Sequence, residues 1–151
     1  MDQVLIDTNV LMYAHQPAEA AKYAQAVRAV EARTESGRGR FSAQVLGEFV
    51  IATTRGRRPL LSVAEALAQA ERLAEALPVL AVNRLVVLEA LRGVREHRLS
   101  YYDAQIGATA RLNQVPTILT EDFAAGRRLE GVHFVNPFVS GFDLEHWTWA
   151  V

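Results

Sequence analysis

At 151 residues the chain is long enough for one domain with a proper core and too short for two. Half of it is hydrophobic and 16 Lys+Arg stand against 17 Asp+Glu, a net charge of −1, which excludes a surface basic all over but leaves room for a local basic patch. The absence of cysteine excludes a disulfide scaffold, thiolate catalysis and cysteine-ligated zinc.

The first apolar run is cut short at Asp7 behind an acidic Met1-Asp2-Gln3, unlike a signal peptide. No apolar run approaches the roughly 18–20 residues that span a bilayer, so the expectation is a soluble cytoplasmic protein with no membrane partner. Val4-Leu5-Ile6 reads as a buried strand. Thr8 or Asn9 is expected to cap a helix through Val10, Leu11 and Tyr13–Ala14, ahead of Pro17. Residues 18–35 are an Ala- and Glu-rich helical stretch that SGRGR breaks, and Arg40–Ala43 reads as a short strand. QVLGEFVIATTRG is helical, with Val45, Leu46, Phe49 and Val50 on its apolar face and Pro59 ending the element.

SVAEALAQAERLAEAL carries Ser62 as N-cap and Glu65 three residues on, the capping-box pattern. Leu77–Val82 reads as a strand and Asn83 to Arg98 as a helix. Ser100 caps a further helix with Asp103 in its first turn, and Val115–Thr120 and Val132–Val135 are strands. SGRGR at 36–40 and TRGRRP at 54–59 are the expected loose segments. The alternation of strand and helix implies a single α/β domain over 1–151, with a mostly parallel sheet covered by helices on both faces. The final stretch, NPFVSGFDLEHWTWAV, carries no assignable pattern; Trp147 and Trp149 in it suit packing or a dimer contact.

In a parallel α/β sheet, ligands bind beyond the carboxyl ends of the strands. Asp7 directly follows the first strand, and Asp122, with Glu121 beside it, follows the strand ending at Thr120. Glu48 interrupts an apolar helix face, and Asp103 opens a helix. Each alone has an ordinary structural explanation: a cap or turn for Asp7 and Asp122, a favourable helix-dipole charge for Asp103, a solvated face for Glu48. Together, four carboxylates at one sheet end would repel one another without a cation. Hard oxygen ligands select Mg²⁺ or Mn²⁺, and such a site suits the in-line hydrolysis of a phosphodiester.

Four blocks carry a resemblance. They are Leu5-Ile6-Asp7-Thr8-Asn9-Val10, Gln44-Val45-Leu46-Gly47-Glu48-Phe49, Leu99-Ser100-Tyr101-Tyr102-Asp103-Ala104 and Ile118-Leu119-Thr120-Glu121-Asp122-Phe123. In this order, over residues 4–135, the chain resembles the PIN-domain nucleases. The resemblance implies a flavodoxin-like three-layer α/β/α sandwich and a Mg²⁺- or Mn²⁺-dependent endoribonuclease. It implies an acidic metal pocket of Asp7, Glu48, Asp103 and Asp122. Thr8 or Asn9 would support the metal by hydrogen bonding, Thr120 would orient Asp7, and Glu121 is either a further support or a solvated neighbour. PIN proteins of this size are often VapC-type toxins of toxin–antitoxin pairs, which implies an RNA substrate, a homodimer and a cognate antitoxin whose tail reaches the pocket.

The four histidines lack a paired i, i+4 spacing, which speaks against zinc. The basic side chains are 15 arginines and one lysine, Lys22. Arg38 and Arg40, and Arg55, Arg57 and Arg58, fall in the two loose segments and are the candidate RNA contacts, since the guanidinium fork binds phosphate bidentately. The alternatives are a PIN nuclease of RNA maturation and, from another class, a non-catalytic acidic-pocket binding module or a receiver-like module. A receiver pocket needs a lysine after its last strands, and Lys22 lies early in a helix.

Overall fold

A computed structural model of the chain describes residues 2–122 and 127–143. Phe123, Trp147 and Trp149 lie outside the described residues. The strands are β1 (Val4–Ile6), β2 (Gly39–Ser42), β3 (Val79–Leu80), β4 (Thr117–Leu119), β5 (Arg128–Leu129) and β6 (Val132–Val135). The helices are α1 (Thr8–Tyr13), α2 (Ala20–Glu35), α3 (Ala43–Thr54), α4 (Val63–Ala76), α5 (Arg84–His97) and α6 (Tyr101–Leu112).

The strands form one sheet in the order β3-β2-β1-β4-β6-β5. Every pairing is parallel except β5 with β6. The chain therefore builds outward from β1 to β2 and β3, then crosses back through α5 and α6 to place β4 on the other flank of β1. The strand order reverses between β1 and β4, and the crevice beyond their carboxyl ends is where such sheets bind ligands. This is the mixed α/β fold that the alternation implied.

Helix starts with a local signal are where the sequence put them. Ser62, Asn83 and Ser100 each accept a hydrogen bond from the backbone N–H three residues on, which opens α4, α5 and α6. Ser42 does the same for α3 although it also closes β2, so strand passes into helix with no loop between them. The N-cap of α1 is Asp7, not Thr8 or Asn9: its Oδ1 accepts the Thr8 N–H at 2.7 Å. Thr8 and Asn9 are diverted because their side chains reach other partners, Glu48 and Thr120.

Three expectations shift. The strand expected over Leu77–Val82 is reduced to Val79–Leu80, an edge in which the Pro78 carbonyl accepts the Phe41 N–H. Segment 36–40 is not loose. Gly39 and Arg40 are in β2, and a Cβ on Gly39 would stand 2.5 Å from Leu77 Cδ1 and 3.0 Å from Arg33 Cβ, so only glycine lets α2 lie this close. The two-residue strand β5 is an addition that no pattern in the sequence announces. It folds back on β6 through Glu130 and Gly131, both at positive φ (49° and 85°), as a two-residue type I′ hairpin requires.

The core runs along the sheet, with Leu5, Ile6, Phe41, Phe49, Ile118, Leu119 and Phe134 essentially inaccessible to solvent. A smaller cluster of Val86, Ala90, Ala104 and Ala108 joins α5 to α6. Gly93 permits that approach: a Cβ there would lie 3.3 Å from the Ala104 Cβ. Both pieces hold α6, and with it Asp103, against the strand that leads to Asp122.

Candidate active site

Asp7 leaves the end of β1 and is buried, 6% exposed. Its backbone N–H donates to the Leu119 carbonyl at 3.0 Å, which ties it to the end of β4. The two carboxylate oxygens have different partners: Thr8 N–H donates to Oδ1, and the Thr120 hydroxyl donates to Oδ2 at 2.8 Å. Thr120 also accepts from Asn9 Nδ2 at 3.2 Å and from the Asp122 N–H at 3.1 Å. One hydroxyl thus uses its donor and both acceptor positions and joins β1, α1 and the turn after β4.

Glu48, on α3, is held at both oxygens. Thr8 Oγ1 donates to Oε2 and Gln44 Nε2 donates to Oε1, each at 2.9 Å. Gln44 in turn accepts from Gln105 Nε2 at 2.9 Å and donates to the Tyr102 carbonyl at 3.2 Å. That relay connects the helix bearing Glu48 to the helix bearing Asp103. Gln44 was legible as a neighbour of Glu48, because residues four apart share a helix face. Gln105, buried at 6% exposure, carries no signal in the sequence.

The electrostatics show that the acids sense one another. Burial pushes the Asp7 carboxyl up to about 6; hydrogen bonds from Thr120 and Thr8 pull against it, and the charges of Asp122 and Glu48 add to it. Asp122 is raised too, first by burial, with a hydrogen bond from Asn9 opposing and the charges of Asp103, Glu121 and Glu48 adding. Through Asp122, all four sequence-predicted acids belong to one electrostatic set. Among the described residues none of the four is in an ion pair with a protein cation.

Glu48 and Asp122 face an open cleft whose walls include Thr8, Asn9, Met12, Ile51 and Arg55. Arg55 is the predicted arginine that the fold brings to the acids. Arg57 and Arg58 follow it, exposed in the connection to α4. Arg38 precedes β2, at the end of the sheet where β1 begins, and Arg40 pairs with Leu5 in the middle of β1. The Arg40 guanidinium is also occupied, donating to the carbonyls of Gly37 and Gly39.

Glu121 is not a solvated neighbour. Its Oε1 accepts from the Tyr13 hydroxyl at 3.1 Å and its Oε2 from Lys22 Nζ at 2.6 Å.

The four acids fit a divalent cation by chemistry: all offer hard oxygen ligands and, among the described residues, none is paired with a protein cation. Three metal-type ligand atoms within 4.8 Å of one another occur, among the described residues, in a different place, Glu96, His97 and Glu130. No three of Asp7, Glu48, Asp103 and Asp122 bring ligand atoms within 4.8 Å of one another. Glu96 and Glu130 are already neutralised by Arg92, at 2.7 Å each, and Arg111 is 3.5 Å from Glu130. Arg92 holds the Glu130 carboxyl down to about 2, so this group is an ion-pair network tying the β5–β6 hairpin to α5 and α6.

A family model described as the PIN domain matches residues 4–128. The chain belongs to the PIN domain family. No curated protein matches it, but solved structures do. A DNA-bound VapBC from Salmonella typhimurium superposes with a TM-score of 0.63 at 17% identity, covering 89% of this chain and 97% of that one. A toxin–antitoxin complex from Klebsiella pneumoniae gives 0.59 at 19% identity over 89% and 98%. Mycobacterium tuberculosis VapC20, described as a sarcin-ricin loop cleaving toxin, gives 0.63 at 22% identity over 80% and 90%. At these identities the likeness is one of fold.

Proposed function

We propose that this PIN-domain protein is a Mg²⁺- or Mn²⁺-dependent endoribonuclease and the toxin of a toxin–antitoxin pair. One observation carries the nuclease reading: Asp7 is buried, raised to about 6, and feels the charges of Asp122 and Glu48 with no protein cation paired to any of them among the described residues. Burying an ionised carboxylate in that company is costly, and a bound divalent ion would offset the cost.

Asp7, Glu48, Asp103 and Asp122 would hold the ion. When bound, it supplies activation of water and stabilisation of the charge that develops on the phosphoryl group. The chain's own residues set the geometry. Thr120 ties the Asp7 carboxylate to the Asp122 backbone, Asn9 steadies Thr120, and Thr8 with Gln44 fixes both oxygens of Glu48. Arg55, on the cleft wall, is suited to a substrate phosphate beside the scissile one, with Arg57 and Arg58 following the backbone outward.

The toxin reading is supported by fold neighbours that are toxins or toxin–antitoxin complexes. With it come a cognate antitoxin as partner, a homodimer, RNA as substrate and a cytoplasmic site of action. No helix among the described residues is long and apolar enough to cross a membrane.

The test is RNA cleavage by the purified protein with Mn²⁺. Asp7→Asn and Asp103→Asn each remove a charge and keep the shape, so both should abolish cleavage in a folded protein. Undiminished cleavage by either variant sinks the site assignment. Expression of the chain alone should arrest growth, and the Asp7→Asn form should not; harmless wild-type expression with intact nuclease activity favours a role in RNA maturation instead. Absence of cleavage by the wild type favours a binding module.

A further inference from the structure

The residues that follow β4 alternate in direction. Thr120 and Asp122 belong to the acid pocket, while Glu121 between them points away. Its carboxylate has both oxygens engaged, one by the Tyr13 hydroxyl at 3.1 Å and the other by Lys22 Nζ at 2.6 Å. Lys22 also donates to the Tyr13 hydroxyl at 3.1 Å, and its ammonium lies 4.6 Å from the Tyr13 ring centre, so the three side chains close a triangle. Phe138 meets the Tyr13 ring edge-on, at 5.0 Å between centroids, and backs the triangle. The backbone of Glu121 is fastened as well, its N–H donating to Asn9 Oδ1 at 3.2 Å.

We infer that Lys22 and Tyr13 form a clamp that positions the pocket: they hold the Glu121 carboxylate outward, away from the metal-binding acids, and so fix the turn that presents Thr120 and Asp122. The inference rests on the nuclease reading above. Lys22 touches neither metal nor substrate and is a positioning residue. Three observations support this. Lys22 is the chain's single lysine and is spent on a carboxylate adjoining the pocket. The contact joins positions 99 residues apart and locks α2 to the turn after β4. The clamp acts on both oxygens of Glu121, so that carboxylate cannot rotate toward Asp122 without breaking two hydrogen bonds, one of them to a charged donor. As an ion pair it is partly exposed, with side-chain accessibilities of 39% and 29%. Such a pair adds little to global stability, and its consequence is local.

The experiment compares wild type, Lys22→Met, Lys22→Arg, Glu121→Gln and Lys22→Met/Glu121→Gln by two readouts without RNA. One is amide hydrogen exchange at Glu121 and Asp122 in metal-free protein, and the other is Mn²⁺ affinity by calorimetry. Lys22→Met should speed exchange at these two amides and weaken Mn²⁺ binding about tenfold, the usual scale for residues that orient metal ligands. The melting temperature should barely move. Lys22→Arg should restore both readouts, because its fork can still reach the carboxylate. The double variant should be no worse than Lys22→Met, since Lys22 acts through Glu121. The clamp is overturned if Lys22→Met leaves exchange and affinity unchanged, or if the losses of the two single variants add. Failure of the nuclease reading looks different: wild type and Asp7→Asn would both fail to bind Mn²⁺, and the exchange readout alone would then decide the clamp.

Discussion

The Thr120 hydroxyl donates to Asp7 Oδ2 at 2.8 Å across 113 residues of sequence, and so fastens the end of β4 to the end of β1 at the point where the sheet changes direction. The same oxygen receives Asn9 Nδ2 and the Asp122 N–H. Thr120 and Asp7 are buried, at 1% and 6% exposure, so the Asp7 oxygen has little water to fall back on.

Thr120→Val keeps the shape and removes the hydroxyl. It leaves a buried Asp7 oxygen, an amide and a side-chain N–H without their partner, and the expected loss of stability is about 1–3 kcal/mol. The Asp7 carboxyl should move further up, because the Thr120 bond is the larger of the two that hold it down. Thr120→Ser should restore both properties. Urea unfolding of the metal-free proteins, with NMR titration of Asp7, checks the pair; a Thr120→Val protein with wild-type stability and an unmoved Asp7 would contradict it.

Asp7 makes the apoprotein pH-sensitive in a defined direction. Its carboxyl goes from 3.8 in the unfolded chain to about 6 in the fold. The native state therefore holds the proton more tightly, and stability is lost as pH rises from about 4 through about 6. A gap of about two units corresponds to roughly 3 kcal/mol at neutral pH. Asp7→Asn should consequently be more stable than wild type at pH 7.5, and the advantage should vanish near pH 4. Mn²⁺ should raise the wild-type melting temperature at pH 7.5 and not that of Asp7→Asn, with the effect fading below pH 5 as protons compete for the ligand. Chelation should return wild type to its apo value. Melting curves at three pH values, with Mn²⁺ and with chelator, decide this.

The acids were legible because each sits beside a local landmark: a strand end for Asp7 and Asp122, a serine cap three residues earlier for Asp103, an apolar helix face for Glu48. The caps Ser62, Asn83 and Ser100 are equally local, and their helices begin where expected. What could not be read depends on distant partners. Gln44 meets Gln105 across 61 residues, and Lys22 meets Glu121 across 99. The β5–β6 turn uses Glu-Gly where Asn-Gly would have announced it, and Glu130 adopts positive φ while its carboxylate is held by Arg92. Arg38 and Arg40 looked equivalent to Arg55 because composition marks a loop without saying at which end of the sheet it lies.

The Gln44 relay gives a separate prediction. Gln44→Leu deprives Glu48 Oε1 of its donor and leaves the buried Gln105 amide without its acceptor. Mn²⁺ affinity should fall about tenfold, with a stability loss of about 1–3 kcal/mol. Gln105→Leu should give a smaller loss of affinity, since Gln44 keeps its bond to Glu48. Equal effects would mean that the relay, and not Gln44 alone, holds the carboxylate.

The arginines separate by position. Arg55 lines the acidic cleft, whereas the Arg40 guanidinium turns back onto the carbonyls of Gly37 and Gly39 at the start of β2. Removing an arginine that neutralises one phosphate of a single strand should lower the slope of log affinity against log salt by about 0.7. Arg55→Ala, measured on an Asp103→Asn background expected not to cleave, should weaken RNA binding and lower the slope by about that amount. Arg57→Ala and Arg58→Ala should act in the same direction and less strongly, because Arg55 lines the acidic cleft and they do not. Arg40→Ala should leave both affinity and slope unchanged while loosening the turn before β2. Binding isotherms at four salt concentrations test all four variants, and an Arg40→Ala effect as large as that of Arg55→Ala would move the RNA path away from the cleft.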